Sequence, residues 1–362
     1  MRICILTFHR AQNYGAVLQA YALQKKIEEL GYTCDILDYR CEKIENSYKL
    51  FGVKSPSPKN VVSMLLHLPF NIKKEKSFAK FRKQFLRISE EIYTRQNIAN
   101  SNKEYDVFIV GSDQVWNGDL TGVDRTYFLD FVKERKTKIA YAASVGKEGF
   151  ALEMKELIRD NLNSFSAVSV REEDTIELLH KITNTEIECV MDPVFLQSQD
   201  FWNNLVSPRK IKEKYIFLFE LHEHDASKYA VELANKMHMK VVYVPNGLRS
   251  QLNAEKVESP LVNEFLSYIK YAEYVVTDSF HAAAFSIIFH KNLHVLLKTE
   301  LKGLNSRLTS LLNKLGLIDR IVEPGKICIK EINYDFVEAK LEDERSKSLE
   351  FLKDGLKKRT CR

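Results

Sequence analysis

Short apolar runs and amphipathic stretches alternate along this chain. Residues 2–7 form an apolar run that predicts a first strand, and a polar loop, 8–15, follows it and ends in glycine. Apolar positions at Val17, Ala20, Tyr21, Ile27 and Leu30 then predict a helix over 16–30, with Gly31 as its stop. Residues 34–39 predict a second strand and complete a βαβ unit of ordinary size. The alternation continues with strands at 107–110, 138–143, 167–170 and 188–191 and helices at 150–165 and 172–180. After a looser polar stretch, 197–214, it resumes with strands at 215–221, 240–244, 274–277 and 294–297. Helices are predicted there at 226–238, 260–270, 279–289 and 305–315, and a charged helix, 338–358, comes last. β-Branched runs between amphipathic helices are the pattern of parallel strands covered on both faces.

The expected fold is therefore α/β, with two Rossmann-like domains facing across a cleft. The expected boundaries are 1–200 for the first domain, 201–334 for the second and 335–362 for a C-terminal helix. A basic helical insertion, about 41–102, belongs to the first. In it Phe78, Phe81 and Phe85 share one helical face, while Lys73, Lys74, Lys76, Lys80, Arg82 and Lys83 fall mostly elsewhere. Two readings are open: a helix that docks its Phe stripe on the core, which is the plainer one, or a surface over 73–83 that meets anionic lipid or a lipid-linked substrate.

Composition narrows the function. Over 362 residues the net charge is only +5, and no recognition-helix or RNA-binding signature is present, so nucleic acid is not an expected partner. The apolar stretches near 61–70 and 282–289 are about half a membrane span, and residues 1–7 are too short for a signal segment. A cytoplasmic protein is expected, with peripheral contact at the inner face of the membrane only through 73–83. The 6 cysteines form no C-x-x-C pair, and Cys4, Cys34 and Cys189 lie in strand-like runs as expected buried thiols. His290 and His294 do not share a helical face, and His222 and His224 flank Glu223 without a third ligand. No metal and no cofactor are expected.

Candidate chemistry gathers at strand ends. The run 107–110 breaks at Gly111 and Ser112 into a loop carrying Asp113, Gln114, Trp116 and Asn117. A carboxylate, two amides and an indole outside the carboxyl end of a parallel strand suit a polar ring such as a sugar. The plainer alternative is that Trp116 plugs the sheet end and Asp113 caps a turn. Asn13, Tyr14 and Gly15 precede a helix whose free N–H groups can hold an anion. Asp278 or Ser279 would cap another helix and put His281 in its first turn, where an imidazole can donate or accept a proton. Arg171 ends a strand; it can bind carboxylate or phosphate, or pair with Glu172, Glu173 or Asp174. Lys298, Lys302 and Arg307 are further basic candidates that spacing does not rank.

The segments Asn13-Tyr-Gly-Ala-Val-Leu-Gln-Ala-Tyr-Ala-Leu-Gln24, Gly111-Ser-Asp-Gln-Val-Trp-Asn117, Ser169-Val-Arg-Glu172, Asp192-Pro-Val194 and Thr277-Asp-Ser-Phe-His281 occur in that order. Together they resemble the polysaccharide pyruvyl transferase family, over about residues 1–320. The resemblance implies a fold similar to that of the two-domain B-type glycosyltransferases. It implies phosphoenolpyruvate as donor and a sugar or lipid-linked oligosaccharide as acceptor, joined as a ketal with release of phosphate. It places the family's important arginine and histidine at Arg171 and His281, and a basic residue after the final strand at Lys298, Lys302 or Arg307, of which Arg307 is preferred. Ala282 departs from the family's usual glycine. Two other functions fit the architecture: a nucleotide-sugar glycosyltransferase, which would draw on Asn246, Gly247 and Glu264, and a non-catalytic glycan-binding protein.

Overall fold

The structure, a computed structural model, describes residues 1–47, 58–133, 135–146, 149–221, 225–245, 254–297 and 302–358. Its first strands and helices are β1 (Arg2–Leu6), α1 (Tyr14–Glu29), β2 (Thr33–Tyr39), α2 (Glu42–Ser47), α3 (Pro58–Phe85), β3 (Ile88–Tyr93) and β4 (Val107–Val110). Next come α4 (Gly118–Thr121), β5 (Thr137–Ala143), α5 (Leu152–Asn161), β6 (Ala167–Val170), α6 (Glu173–His180), β7 (Glu188–Cys189) and α7 (Gln199–Asn203). The remainder is β8 (Tyr215–Phe219), α8 (Asp225–Met237), β9 (Lys240–Val244), β10 (Glu255–Lys256), α9 (Val262–Lys270), β11 (Tyr274–Thr277), α10 (Phe280–Ile288), β12 (Asn292–Val295), α11 (Lys302–Lys314) and α12 (Tyr334–Lys357).

Two compact α/β units result. The first comprises Met1–Tyr48, Arg82–Gln197 and Leu341–Arg362, and the second Lys49–Phe81 and Ser198–Lys340. Residues 49–81, which the sequence boundaries put in the first domain, thus fall in the second unit, and the end of α12 falls in the first.

The first unit holds a seven-stranded sheet in the order β3-β2-β1-β4-β5-β6-β7, with every pairing parallel. Its central strands are buried along their length, which is why their sequences are continuous apolar runs rather than alternating ones. β3 differs: Ile-Ser-Glu-Glu-Ile-Tyr is a half-exposed edge strand inside the stretch read from sequence as a helical insertion. The buried residues of α12 cover part of this sheet, and a Cβ at Gly355 would sit 3.3 Å from Ile139 and 3.4 Å from Ala167. Ser348 ties the same helix in by accepting: the Met191 N–H donates to Ser348 Oγ at 2.9 Å.

The second unit holds a five-stranded parallel sheet in the order β10-β9-β8-β11-β12. β12 starts two residues earlier than the apolar run suggested, because Asn292 pairs with Tyr274 at the sheet's edge. α10 is buried at every position, so its all-round apolar sequence is a core helix's. Phe78 and Phe81 of α3 are buried, and the Phe stripe docks as the plainer reading had it. Cys4 and Cys34 are buried free thiols, and Cys189 is half-buried. Among the described residues no helix is long and apolar enough to cross a membrane.

Candidate functional site

In each sheet the chain turns outward in both directions from one point. In the first unit β1 leads to β2 and β3 on one side, while β4 leads to β5, β6 and β7 on the other. Loops after β1 and β4 therefore leave a gap at their carboxyl ends, where ligands of open α/β sheets bind. In the second unit the corresponding gap lies between β8 and β11. The residues singled out from sequence sit after β1, β4 and β6 in the first unit and after β11 and, for Arg307, β12 in the second.

The loop after β4 is held from three sides. Gln19 of α1, fully buried, accepts the Ser112 N–H at 3.2 Å and donates to Thr7 Oγ1 at 2.8 Å, while Thr7 donates to Ser112 O at 3.2 Å. The Ser112 hydroxyl lies 3.1 Å from both Ala142 O and Asp192 Oδ2. Gly111 adopts φ +114°, and a Cβ there would come within 2.2 Å of Tyr141 O, so only glycine allows this approach to β5. Asp113 takes φ +72°, with its carboxylate accepting the Gln114 N–H at 2.9 Å and its carbonyl accepting the Ser144 N–H at 3.0 Å.

Trp116 has no accessible surface. Its indole N–H donates to Tyr127 O at 3.1 Å, and its ring stacks on Phe128 with centroids 5.7 Å apart. The indole is a plug of the core, which corrects the expectation of contact with a sugar ring. Asn117 is also buried; it donates to Gln114 Oε1 at 2.9 Å and caps α4 through the Asp119 N–H. Asp113 and Gln114 are half-exposed and remain the loop's outward polar groups. Asn13, exposed, caps α1 by accepting the Ala16 N–H at 3.2 Å, and Tyr14 and Gly15 are buried in the first turn behind it.

Arg171 follows β6 and is buried between two carboxylates. Its Nη1 donates to Asp192 Oδ2 at 2.6 Å and its Nε to Glu172 Oε1 at 3.0 Å. Burial opposes its charge, but Glu172, Asp192 and Asp113 outweigh burial and hold the guanidinium above its usual range. Glu172 also accepts the Ser144 hydroxyl at 2.9 Å. One charged cluster therefore fixes the ends of four loops: Ser112 after β4, Ser144 after β5, Arg171 after β6 and Asp192 after β7. From the sequence, Asp192 stands only in the Asp192-Pro-Val194 segment, with no role attached to its carboxylate. The usable signal was positional, since parallel order places the residues ending β6 and β7 side by side.

A polar cavity of about 610 Å³ opens in the same unit. Arg40, Thr94 and Arg95, from the ends of β2 and β3, line it together with Thr121, Gly122 and Asp124 from the segment after the Trp116 loop.

In the second unit Thr277 ends β11, donating to Phe219 O at 2.5 Å and accepting the Ser279 N–H at 3.0 Å. Asp278 accepts the Leu221 N–H at 2.7 Å, which joins the loops on the two sides of the gap. Ser279 is the cap of α10, accepting the Ala282 N–H at 3.5 Å. His281 is buried in the helix's first turn, edge-on to Phe280 with centroids 5.1 Å apart. Ala282 is fully buried, so the methyl that replaces glycine is absorbed by core packing. Arg307 is half-buried on α11, which packs on α10. Lys298 and the side chain of Lys302 lie outside the described residues, as do Asn246, Gly247, His222, Glu223 and His224. Glu264 accepts the Leu261 N–H at 3.0 Å and pairs with Lys210 at 3.0 Å, which commits it to the start of α9 rather than to a ribose. Among the described residues no group of 3 or more His, Cys, Asp or Glu is placed to hold a metal.

A family model described as polysaccharide pyruvyl transferase matches residues 13–296. No curated protein matches the sequence significantly. Among solved structures, UDP-GlcNAc 2-epimerase from Methanocaldococcus jannaschii is 14% identical with a TM-score of 0.47, covering 94% of this chain and 92% of that one. UDP-GlcNAc 2-epimerase from Neisseria meningitidis is 11% identical with a TM-score of 0.46, covering 98% and 99%. The E. coli heptosyltransferase WaaC is 12% identical with a TM-score of 0.39, covering 83% and 89%.

Proposed function

Since the chain belongs to the polysaccharide pyruvyl transferase family, we propose that it transfers a pyruvyl group from phosphoenolpyruvate to a sugar of a cell-surface polysaccharide or its precursor, forming a ketal and releasing phosphate. The observation that carries this reading is the family match over 13–296, which takes in both Arg171 and His281. The chemistry asks for little apparatus. A proton adds to the methylene carbon of the enol and leaves an oxocarbenium-like centre at C2. One sugar hydroxyl attacks that centre, the C–O bond to phosphate breaks, and a second hydroxyl closes the ketal. Of the two hydroxyl protons, one balances the proton given to the methyl group and the other leaves on phosphate.

His281 is the proposed acid for the methylene carbon, or else the phosphate anchor, with the N–H groups of the α10 first turn favouring the anion. Arg171 is proposed to act through the loops it holds: with Asp192 and Glu172 it sets Ser112 and Ser144, and through them Asp113 and Gln114. The cavity lined by Arg40, Thr94, Arg95 and Asp124 is the proposed place for the acceptor sugar. Arg307 is the proposed basic residue toward the donor.

The test is phosphate release from phosphoenolpyruvate against a panel of hexosides and lipid-linked sugars, with Arg171→Ala and His281→Ala in parallel. Acceptor-dependent release that both substitutions abolish supports the reading. Absence of both release and phosphoenolpyruvate binding overturns it.

A further inference from the structure

A cavity of about 970 Å³ in the second unit lies away from the loops after β8 and β11. One wall is α3 and the other is the segment leading from β10 into α9. Along α3 the wall changes character. Leu68, Pro69 and Ile72 line it first, then Lys73, Lys76 and Lys80. At 1.5 Å per residue the wall runs about 18 Å from an apolar end to a cationic one. The three lysines recur at three- and four-residue spacing, so their stems leave one face of the helix.

The facing wall offsets them only in part: Glu258 and Glu264 feel Lys73 through space but are each paired to another lysine. Glu258 is taken by Lys256 at 2.8 Å and Glu264 by Lys210 at 3.0 Å. No ion pair of Lys73, Lys76 or Lys80 occurs among the described residues. Between the carboxylates sits Ser259, 5% exposed and at φ +47°, whose hydroxyl is buried with no hydrogen-bond partner among the described residues. A buried hydroxyl of that kind is costly unless something else completes it. Val257, Pro260 and Leu261 continue the apolar lining.

An apolar channel that ends in three ammonium groups without a paired carboxylate, and a buried hydroxyl without a partner among the described residues, matches an amphiphile with an anionic head. We infer that this cavity binds the phosphate-bearing headgroup and upper chain of an anionic bilayer lipid, and so holds the protein at a membrane surface. Apolar stems and charged heads of lysines suit such an interface, and attraction to acidic headgroups falls away with salt. Binding there needs no turnover, so it stands or falls apart from the transferase reading.

The test is co-sedimentation of the full chain with vesicles of phosphatidylglycerol and phosphatidylcholine, compared with phosphatidylcholine alone. Wild type is expected to bind the first and not the second. The variant K73Q/K76Q/K80Q is expected to lose roughly fivefold in partition for each lysine, ~100-fold in all. K103Q/K155Q/K181Q, which removes the same charge from exposed positions of the first unit, is expected to bind like wild type. Ile72→Asp, which leaves every lysine in place, is expected to lose binding as well. Equal losses in the two lysine triples would mean non-specific attraction and overturn the proposal. So would absence of vesicle binding, whether or not millimolar inorganic phosphate raises the melting temperature, because phosphate stabilisation alone would assign the cavity to a soluble anion.

Discussion

Arg171 Nη1 stands 2.6 Å from Asp192 Oδ2, and neither side chain meets solvent to more than 2%. Breaking one partner of such a pair leaves the other charged and dry. Arg171→Ala leaves both Asp192 and Glu172 without their cation and is expected to cost about 3–5 kcal/mol. Urea unfolding monitored by circular dichroism measures this. Arg171→Lys keeps the charge but not the two-pronged reach, and is expected to lose less stability than Arg171→Ala.

His281 is buried in the first turn of α10, so its kinetics are read on a variant that a thermal melt shows to be folded. If it is the proton donor, His281→Gln lowers kcat by ~10²–10⁴ and changes KM for phosphoenolpyruvate little. If it anchors phosphate, KM rises instead. Steady-state phosphate release against phosphoenolpyruvate concentration separates the two.

Two glycines near the Ser112 loop are expected to respond differently to alanine. At Gly111 the new Cβ would meet the Tyr141 carbonyl at 2.2 Å, and backbone cannot swing away, so Gly111→Ala is expected to abolish folding or cost more than ~3 kcal/mol. At Gly146 the obstacle is the end of a side chain, Gln114 Oε1, at 2.1 Å. Gln114 can rotate away, giving up its bond to Asn117, so Gly146→Ala is expected to cost less in stability while disturbing acceptor KM. Thermal melts and acceptor titrations of both variants test this contrast.

His294 is fully buried, edge-on to Tyr229, and neither ring nitrogen has a hydrogen-bond partner among the described residues. Burial, with the Arg320 cation adding to it, lowers its pKa from 6.5 to about 4. The unfolded chain therefore takes up a proton between those values that the folded chain refuses. Stability is whole above pH 6.5, falls as pH drops toward 4, and loses about 3 kcal/mol over that interval. Urea midpoints across the interval check the slope, and His294→Leu is expected to flatten it.

Tyr93 ends the edge strand β3 with its hydroxyl buried and no hydrogen-bond partner among the described residues. Tyr93→Phe removes a group that gains nothing in the folded state. It is expected to be neutral or to raise stability by up to ~1 kcal/mol, as a thermal melt would show.

Most of the two sheets was legible in the chain because buried parallel strands write themselves as apolar runs. β3 was not, since a half-exposed edge strand with two adjacent glutamates carries no apolar run. His281 was legible because the Asp278-Ser279 pair announces a helix start, and the structure does place it in the first turn. The role of Trp116 was left between two readings, since a local pattern does not say which side of a strand end an indole turns to. The Arg171 cluster needed the strand order: Asp192 lies 21 residues away, and only the β6–β7 pairing makes the two neighbours.

The first unit is assembled from three separate stretches, the last of them Leu341–Arg362. Thr137 of β5 donates to Lys358 O at 3.3 Å, and Gly355 fits against Ile139 and Ala167. During synthesis the ribosome therefore delivers β1 to β7 long before it delivers the helix that covers β5 and β6. Until that last segment emerges, the apolar face beneath it must wait for cover. The unit begun first is completed last, and a chain cut short by a few turns at its end would release a first unit whose sheet still offers that face to chaperones or to aggregation.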